Sequence, residues 1–179
     1  MTYLPNAISF GRLLSVPIVV FLLWRGLMVG AFWVFVVASL SDAIDGYLAR
    51  KFGFYSLLGV YLDPLADKVL LVSVFIMLAY LGQAPFFLVS ILVVRDLLIF
   101  FSVLRLRKRI GDQLGTPIFI SKVHTLLQMV FVILTLAKLA FNLAIDEGLL
   151  SGLIYAVTCT TLLSTIEYIK TWHSLRKRK

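Results

Sequence analysis

The feature that most narrows what this chain can become is a series of six apolar runs, each long enough to cross a lipid bilayer. They cover about residues 7–24, 27–50, 56–81, 84–106, 118–141 and 149–171, and about 20 helical residues span the hydrocarbon. No water reaches the backbone there, so each run must satisfy its own N–H and C=O groups as a helix. The breaks fall at Arg25-Gly26, Phe52-Gly53, Gly82-Gln83-Ala84-Pro85, Gly111 to Pro117 and Asp146-Glu147-Gly148, the glycine, proline and charged punctuation that ends helices. The predicted fold is an all-α integral membrane protein with six transmembrane helices. No linker, low-complexity tract or internal repeat divides residues 1–179, so one membrane domain is expected.

Charge orients this bundle. One set of loops and ends carries Arg50, Lys51, Arg105, Arg107, Lys108, Arg109 and the terminal Arg176 to Lys179. The other carries only Arg25, an uncharged turn and the acidic Asp146-Glu147. Basic loops stay in the cytoplasm, which places both termini there and the protein in the inner (cytoplasmic) membrane. The opening MTYLPNAISFGRLL lacks the pattern of a removable signal peptide and reads as a permanent first helix. Within it, Pro5 to Arg12 reads either as a segment lying in the interface or as an ordinary helix start with Asn6 as N-cap.

The net charge of +8 does not point to nucleic acid, because no separate basic domain with interleaved aromatics carries it. The lipid bilayer and phosphorylated substrates are the expected partners. The lone Cys159 sits in an apolar stretch and is expected to be a small core side chain.

Against 61% hydrophobic residues, four aspartates in or near the second and third runs stand out. Inserting an Asp at the centre of a span costs about 2.5–3.5 kcal/mol. Asp42 and Asp45 lie roughly 60° apart around a helix, and Asp63 and Asp67 roughly 40°, so each pair shares a face. The two helices are joined by a short basic turn and are expected to pack antiparallel. Measured from Gly53, the first pair stands about 12 and 16 Å along its helix and the second about 15 and 21 Å. Four carboxylates that close need a cation between them. Oxygen ligands without cysteine suit a hard divalent ion. Gly46 and Gly59 leave space beside such an ion, Ala49 keeps the same face small, and Arg50 offers a planar fork for phosphate.

Together these residues spell D-x-x-D-G-x-x-A-R, eight further residues, and G-x-x-x-D-x-x-x-D across positions 42–67. The pattern resembles the signature of the CDP-alcohol phosphatidyltransferase family at every defined position. The resemblance implies a six-helix membrane enzyme, a homodimer, whose active site opens to the cytoplasm. It implies metal ligation by Asp42, Asp45, Asp63 and Asp67, with two ions of Mg2+ or Mn2+. It implies Asp67 as the base for the acceptor hydroxyl, and Gly46, Ala49, Arg50 and Gly59 against the CDP moiety of CDP-diacylglycerol. Carboxylates inside spans also mark ion and proton transporters, but a proton relay needs neither the Gly-x-x-Ala-Arg insert nor a second spaced pair.

The acceptor is read from elsewhere. Arg95 and Asp96 lie inside the fourth run, and Lys122 and His124 open the fifth. Buried cations near a metal site suggest an anionic acceptor, with Arg95 and Lys122 holding its phosphate. The alternative for Arg95 is local pairing with Asp96, and His124 reads as a helix-end residue. The string Ile120-Ser121-Lys122-Val123-His124-Thr125 is similar to the I-S-K-x-N-T of the family's cardiolipin-forming branch. It departs from the G-K-x-K-T of the phosphatidylglycerophosphate-forming branch. The acceptor expected is therefore phosphatidylglycerol, with glycerol 3-phosphate as the alternative.

Overall fold

The computed structural model describes the backbone of residues 3–52, 59–110 and 119–177, and side chains within 11–41, 66–99 and 120–170. Among the described residues there are six helices: α1 Tyr3–Trp24, α2 Met28–Phe52, α3 Gly59–Tyr80, α4 Phe86–Ile110, α5 Phe119–Phe141 and α6 Glu147–Lys177. They match the six apolar runs to within a few residues at most ends. α1 begins at Tyr3, so Asn6 lies inside the helix and is not its N-cap.

The punctuation works as local chemistry demands. At the end of α1, the Leu27 N–H donates to the Leu22 carbonyl at 2.9 Å and the Gly26 N–H to Leu23 at 3.1 Å. This closure needs a left-handed residue, and Gly26 supplies it with φ of 72°. α3 ends the same way, with Gly82 at φ 73° and Gln83 donating to Leu78 at 2.8 Å. α6 is opened by Asp146, whose Oδ2 accepts the Leu149 N–H at 3.2 Å, a side-chain cap on an otherwise unsatisfied donor.

The chain divides into two compact units, Met1–Gln83 with Val132–Ile145 and Ala84–Phe131 with Asp146–Lys179. In the first, α1 packs closely along both α2 and α3, while α2 and α3 touch only sparingly among the described residues. The ends of α2 and α3 where direct packing is expected, residues 42–65, lie outside the residues whose side chains are described. The buried stripes are Arg12, Ser15, Val16, Val19 and Leu23 on α1, Ala31, Phe35 and Ala38 on α2, and Ala66, Leu70, Leu71, Val74, Phe75 and Leu78 on α3. Phe32 meets Phe141 edge to face, ring centres 5.2 Å apart.

In the second unit α4 packs on α6. The hydroxyls of Thr158, Thr160, Thr161 and Thr165 on α6 donate to carbonyls one turn back, at 2.6–2.8 Å. Such back-bonding lets a Thr-rich helix remain in an apolar medium.

Exposure is inverted relative to a water-soluble protein. Leu14, Ile18, Phe21, Leu98, Leu162 and Ile166 lie exposed, while Arg12, Arg95, His124, Gln128, Thr135 and Thr161 are buried. So much bare aliphatic surface needs an apolar covering. Among the described residues, Ile120–Phe141 and Glu147–Lys170 are long and apolar enough to cross a membrane. Cys159 lies exposed on α6, not in a core: an apolar neighbourhood in sequence marks lipid-facing positions as readily as packed ones.

Candidate active site

The aspartate motif lies on two helices of the first unit. Asp42, Asp45, Gly46, Ala49 and Arg50 occupy the C-terminal half of α2, Gly59 opens α3, and Asp63 and Asp67 follow within its first turns. The side chains of Asp42, Asp45, Ala49, Arg50 and Asp63, and the surroundings of Gly46 and Gly59, lie outside the described residues. Helical register still relates the aspartates to what is described. Asp42 and Asp45 continue the spacing of Ala31, Phe35 and Ala38, the stripe that α2 buries. Asp63 and Asp67 stand three or four residues before Ala66, Leu70 and Leu71, the start of the buried stripe of α3.

Asp67 is the member of the set whose side chain is described. Its Oδ1 lies 3.5 Å from Nη1 of Arg12 on α1. The Arg12 side chain is 2% exposed and that of Asp67 25%. The guanidinium is thus covered, and the carboxylate reaches open space. At 3.5 Å the contact is an ion pair rather than a charge-assisted hydrogen bond, which runs about 2.7–2.9 Å. Arg12 was not among the residues that the motif singles out. The available signal was a lone arginine inside an apolar run, itself a marker of function in a membrane protein.

The residue types at this place suit a hard divalent cation: four aspartates on α2 and α3 and no cysteine on either helix. Among the described residues no three metal-capable side chains converge, Asp42, Asp45 and Asp63 not being among them.

The expected acceptor residues lie in the second unit. Arg95 on α4 is 2% exposed, and its Nη1 donates to Asp96 Oδ1 at 2.6 Å. Its Nε donates to Ser164 Oγ of α6 and its Nη2 to Ser121 Oγ of α5, both at 3.2 Å. The local-pairing alternative thus describes the Arg95 geometry, which joins three helices. Lys122 is exposed on the first turns of α5. His124 is fully buried, not a loose helix-end residue, and its Nδ1 hydrogen-bonds Thr160 Oγ1 at 3.1 Å.

Comparison with known proteins bears on the motif directly. The model of a family described as CDP-alcohol phosphatidyltransferase matches residues 2–166. The chain belongs to that family. The family is membrane-bound, in keeping with the inverted exposure of the helices. The chain is 33% identical to a CDP-diacylglycerol--glycerol-3-phosphate 3-phosphatidyltransferase from the chloroplast of Oryza sativa, over 98% of this chain and 59% of the rice protein. It is 33% identical to a cardiolipin synthase (CMP-forming) of Rattus norvegicus, over 92% of this chain and 60% of the rat protein. A Bacillus subtilis CDP-diacylglycerol--glycerol-3-phosphate 3-phosphatidyltransferase is 29% identical over 98% of both chains. The chain therefore spans about 60% of the length of the rice and rat relatives and nearly all of the bacterial one.

Proposed function

We propose that this protein transfers a phosphatidyl group from CDP-diacylglycerol to a glycerol-type alcohol and releases CMP. The observation that carries the reading is the complete aspartate motif on α2 and α3, ending at a carboxylate, Asp67, that is partly open on one side and backed by a cation on the other.

The acceptor hydroxyl oxygen attacks the phosphorus that bears diacylglycerol. The bond from that phosphorus to the bridging oxygen of the pyrophosphate breaks, and CMP leaves with the bridging oxygen. Asp67 takes the hydroxyl proton as general base, a role typically worth about a hundred- to ten-thousand-fold in rate. Asp42, Asp45, Asp63 and Asp67 would hold two Mg2+ or Mn2+ ions, which when bound neutralise the pyrophosphate and the departing phosphate. Gly46, Ala49 and Gly59 leave room for the CDP moiety, and Arg50 holds its phosphates.

The acceptor in this reading is phosphatidylglycerol. The support is the Ile120-Ser121-Lys122 string, with one lysine where a more anionic acceptor would call for two. In this reading Lys122 holds the acceptor's phosphate, while the Arg95 guanidinium is taken up by Asp96, Ser121 and Ser164. Glycerol 3-phosphate is the second reading, favoured by the match to the Bacillus subtilis relative over nearly the whole of both chains. The helices form six spans with both termini in the cytoplasm, in an inner-membrane homodimer whose site faces the cytoplasm. The basic loops support that orientation.

The test is direct. Purified protein in vesicles receives CDP-diacylglycerol and Mn2+ or Mg2+, with each acceptor offered alone, and the lipid product is identified. Cardiolipin with CMP from phosphatidylglycerol is the expected result. Phosphatidylglycerophosphate from glycerol 3-phosphate, with nothing from phosphatidylglycerol, would establish the second reading. Transfer to neither would remove the activity from this chain.

A further inference from the structure

Three helices of the first unit carry charge at one level. α1 and α2 are antiparallel across the tight Gly26 turn, and α1 packs on α3. Counted from Trp24, Met28 and Tyr80, Arg12, Asp42 and Asp67 stand about 18, 21 and 20 Å along their helices, at about 1.5 Å per residue. α1 is the helix that packs closely on both bearers of the aspartates, and Arg12 is the buried cation it brings to their level.

The burial pattern decides what such a cation does. A phosphate-binding arginine must present its fork to the substrate, whereas Arg12 is almost wholly covered and Asp67 is the partner that opens outward. The guanidinium stands behind the carboxylate. It belongs to the chain itself, so its hold on Asp67 does not depend on any metal.

We propose that Arg12 is a positioning residue of this site, a built-in cation that holds Oδ1 of Asp67 from behind and competes with a divalent ion for that carboxylate. The proposal rests on the reading of Asp67 as base and metal ligand. The long 3.5 Å contact suits such a role, being close enough to orient a carboxylate and too long to saturate it. Without Arg12, the carboxylate would lose its fixed orientation and turn wholly to the metal. The aspartate layer, less one positive charge, would then bind metal more tightly.

The experiment uses the full chain in detergent. Thermal unfolding is followed without metal and with saturating Mn2+, Mn2+ affinity is measured by the electron paramagnetic resonance of the free ion, and kcat and KM are measured for both substrates. Arg12→Gln should lower the metal-free midpoint by roughly 5–10 °C, with a smaller loss under saturating Mn2+. Its Mn2+ affinity should rise about fivefold or more. Its kcat should fall about tenfold or more while both KM values stay within about twofold. In the Asp67→Asn background the same substitution should change Mn2+ affinity by less than about twofold, because the residue acts through Asp67. That pair leaves neither charge of the ion pair behind, so it keeps the test open if Arg12→Gln alone does not fold. Unchanged or weaker Mn2+ binding in Arg12→Gln, an effect that persists without the Asp67 carboxylate, or a donor KM raised about tenfold would each overturn the proposal. If the wild type transfers to no acceptor, the functional reading fails while the metal and unfolding results still judge the Arg12–Asp67 pair.

Discussion

Two buried arginines, each paired with an aspartate, sit in this protein under different terms. Arg95 and Asp96 are neighbours in sequence, 2.6 Å apart, and Asp96 is 11% exposed. Two serines from two further helices take up other N–H groups of the same guanidinium. Arg12 and Asp67 come from different helices, stand 3.5 Å apart, and leave the carboxylate 25% exposed. The first arrangement is tight and closes on itself, as a joint between helices should. The second is loose and leaves its carboxylate partly exposed, as the proposed working group would need. A membrane tolerates a buried arginine in either setting, because the cost of the charge is met by pairing. Distance and the exposure of the acid distinguish the two uses.

The comparison can be broken most decisively at Asp67. Asp67→Asn keeps size and hydrogen bonding but removes the proposed base, so transfer should fall about a hundred- to ten-thousand-fold while the protein still elutes folded in detergent. Activity within about threefold of wild type would remove Asp67 from the mechanism.

The Arg95 pair should fail in stability instead. Arg95→Met takes the guanidinium away from a mostly covered Asp96, a change worth about 3–5 kcal/mol. Thermal unfolding in detergent measures it, and adding Asp96→Asn should recover much of the loss. A variant as stable as wild type would mean that the pair is not a structural joint.

Lys122→Ala sharpens the contrast from the acceptor's side. Lys122 is exposed, so its loss should spare folding and raise the acceptor KM about tenfold, with the donor KM little changed. An effect on the donor alone would take the acceptor pocket away from α5.

The smallest effect is expected at Cys159, exposed on α6. Cys159→Ser should shift unfolding by less than about 0.5 kcal/mol, and a loss near that of Arg95→Met would place the thiol in a packed interface.

Much of this architecture was legible in the primary structure, for physical reasons. Helix positions follow from apolar length, since lipid leaves a backbone no other partner. Gly26 and Gly82 end their helices because only glycine takes the left-handed turn without strain. Helical register puts Asp42 with Asp45, and Asp63 with Asp67, on a shared face of α2 and α3, because spacings of three and four residues return to one face. Arg95 exposed the limit of such reading. Composition marked it as a buried cation in need of an anion but could not tell a substrate phosphate from Asp96, Ser121 and Ser164.

What the sequence by itself determined is local: six helices, their ends, the family motif and the face that each aspartate pair shares. These depend on residues within a few turns of one another, where covalent geometry sets the distances. Tertiary structure alone decided that α1 packs on both aspartate-bearing helices and that Arg12 stands behind Asp67. It also decided that His124 is buried against Thr160 and that Cys159 faces outward. Each of these depends on which side of a nearly uniformly apolar helix turns inward. In lipid, hydrophobicity does not make that choice, because the surroundings are as apolar as the interior. Packing and polar pairing between distant segments make it instead.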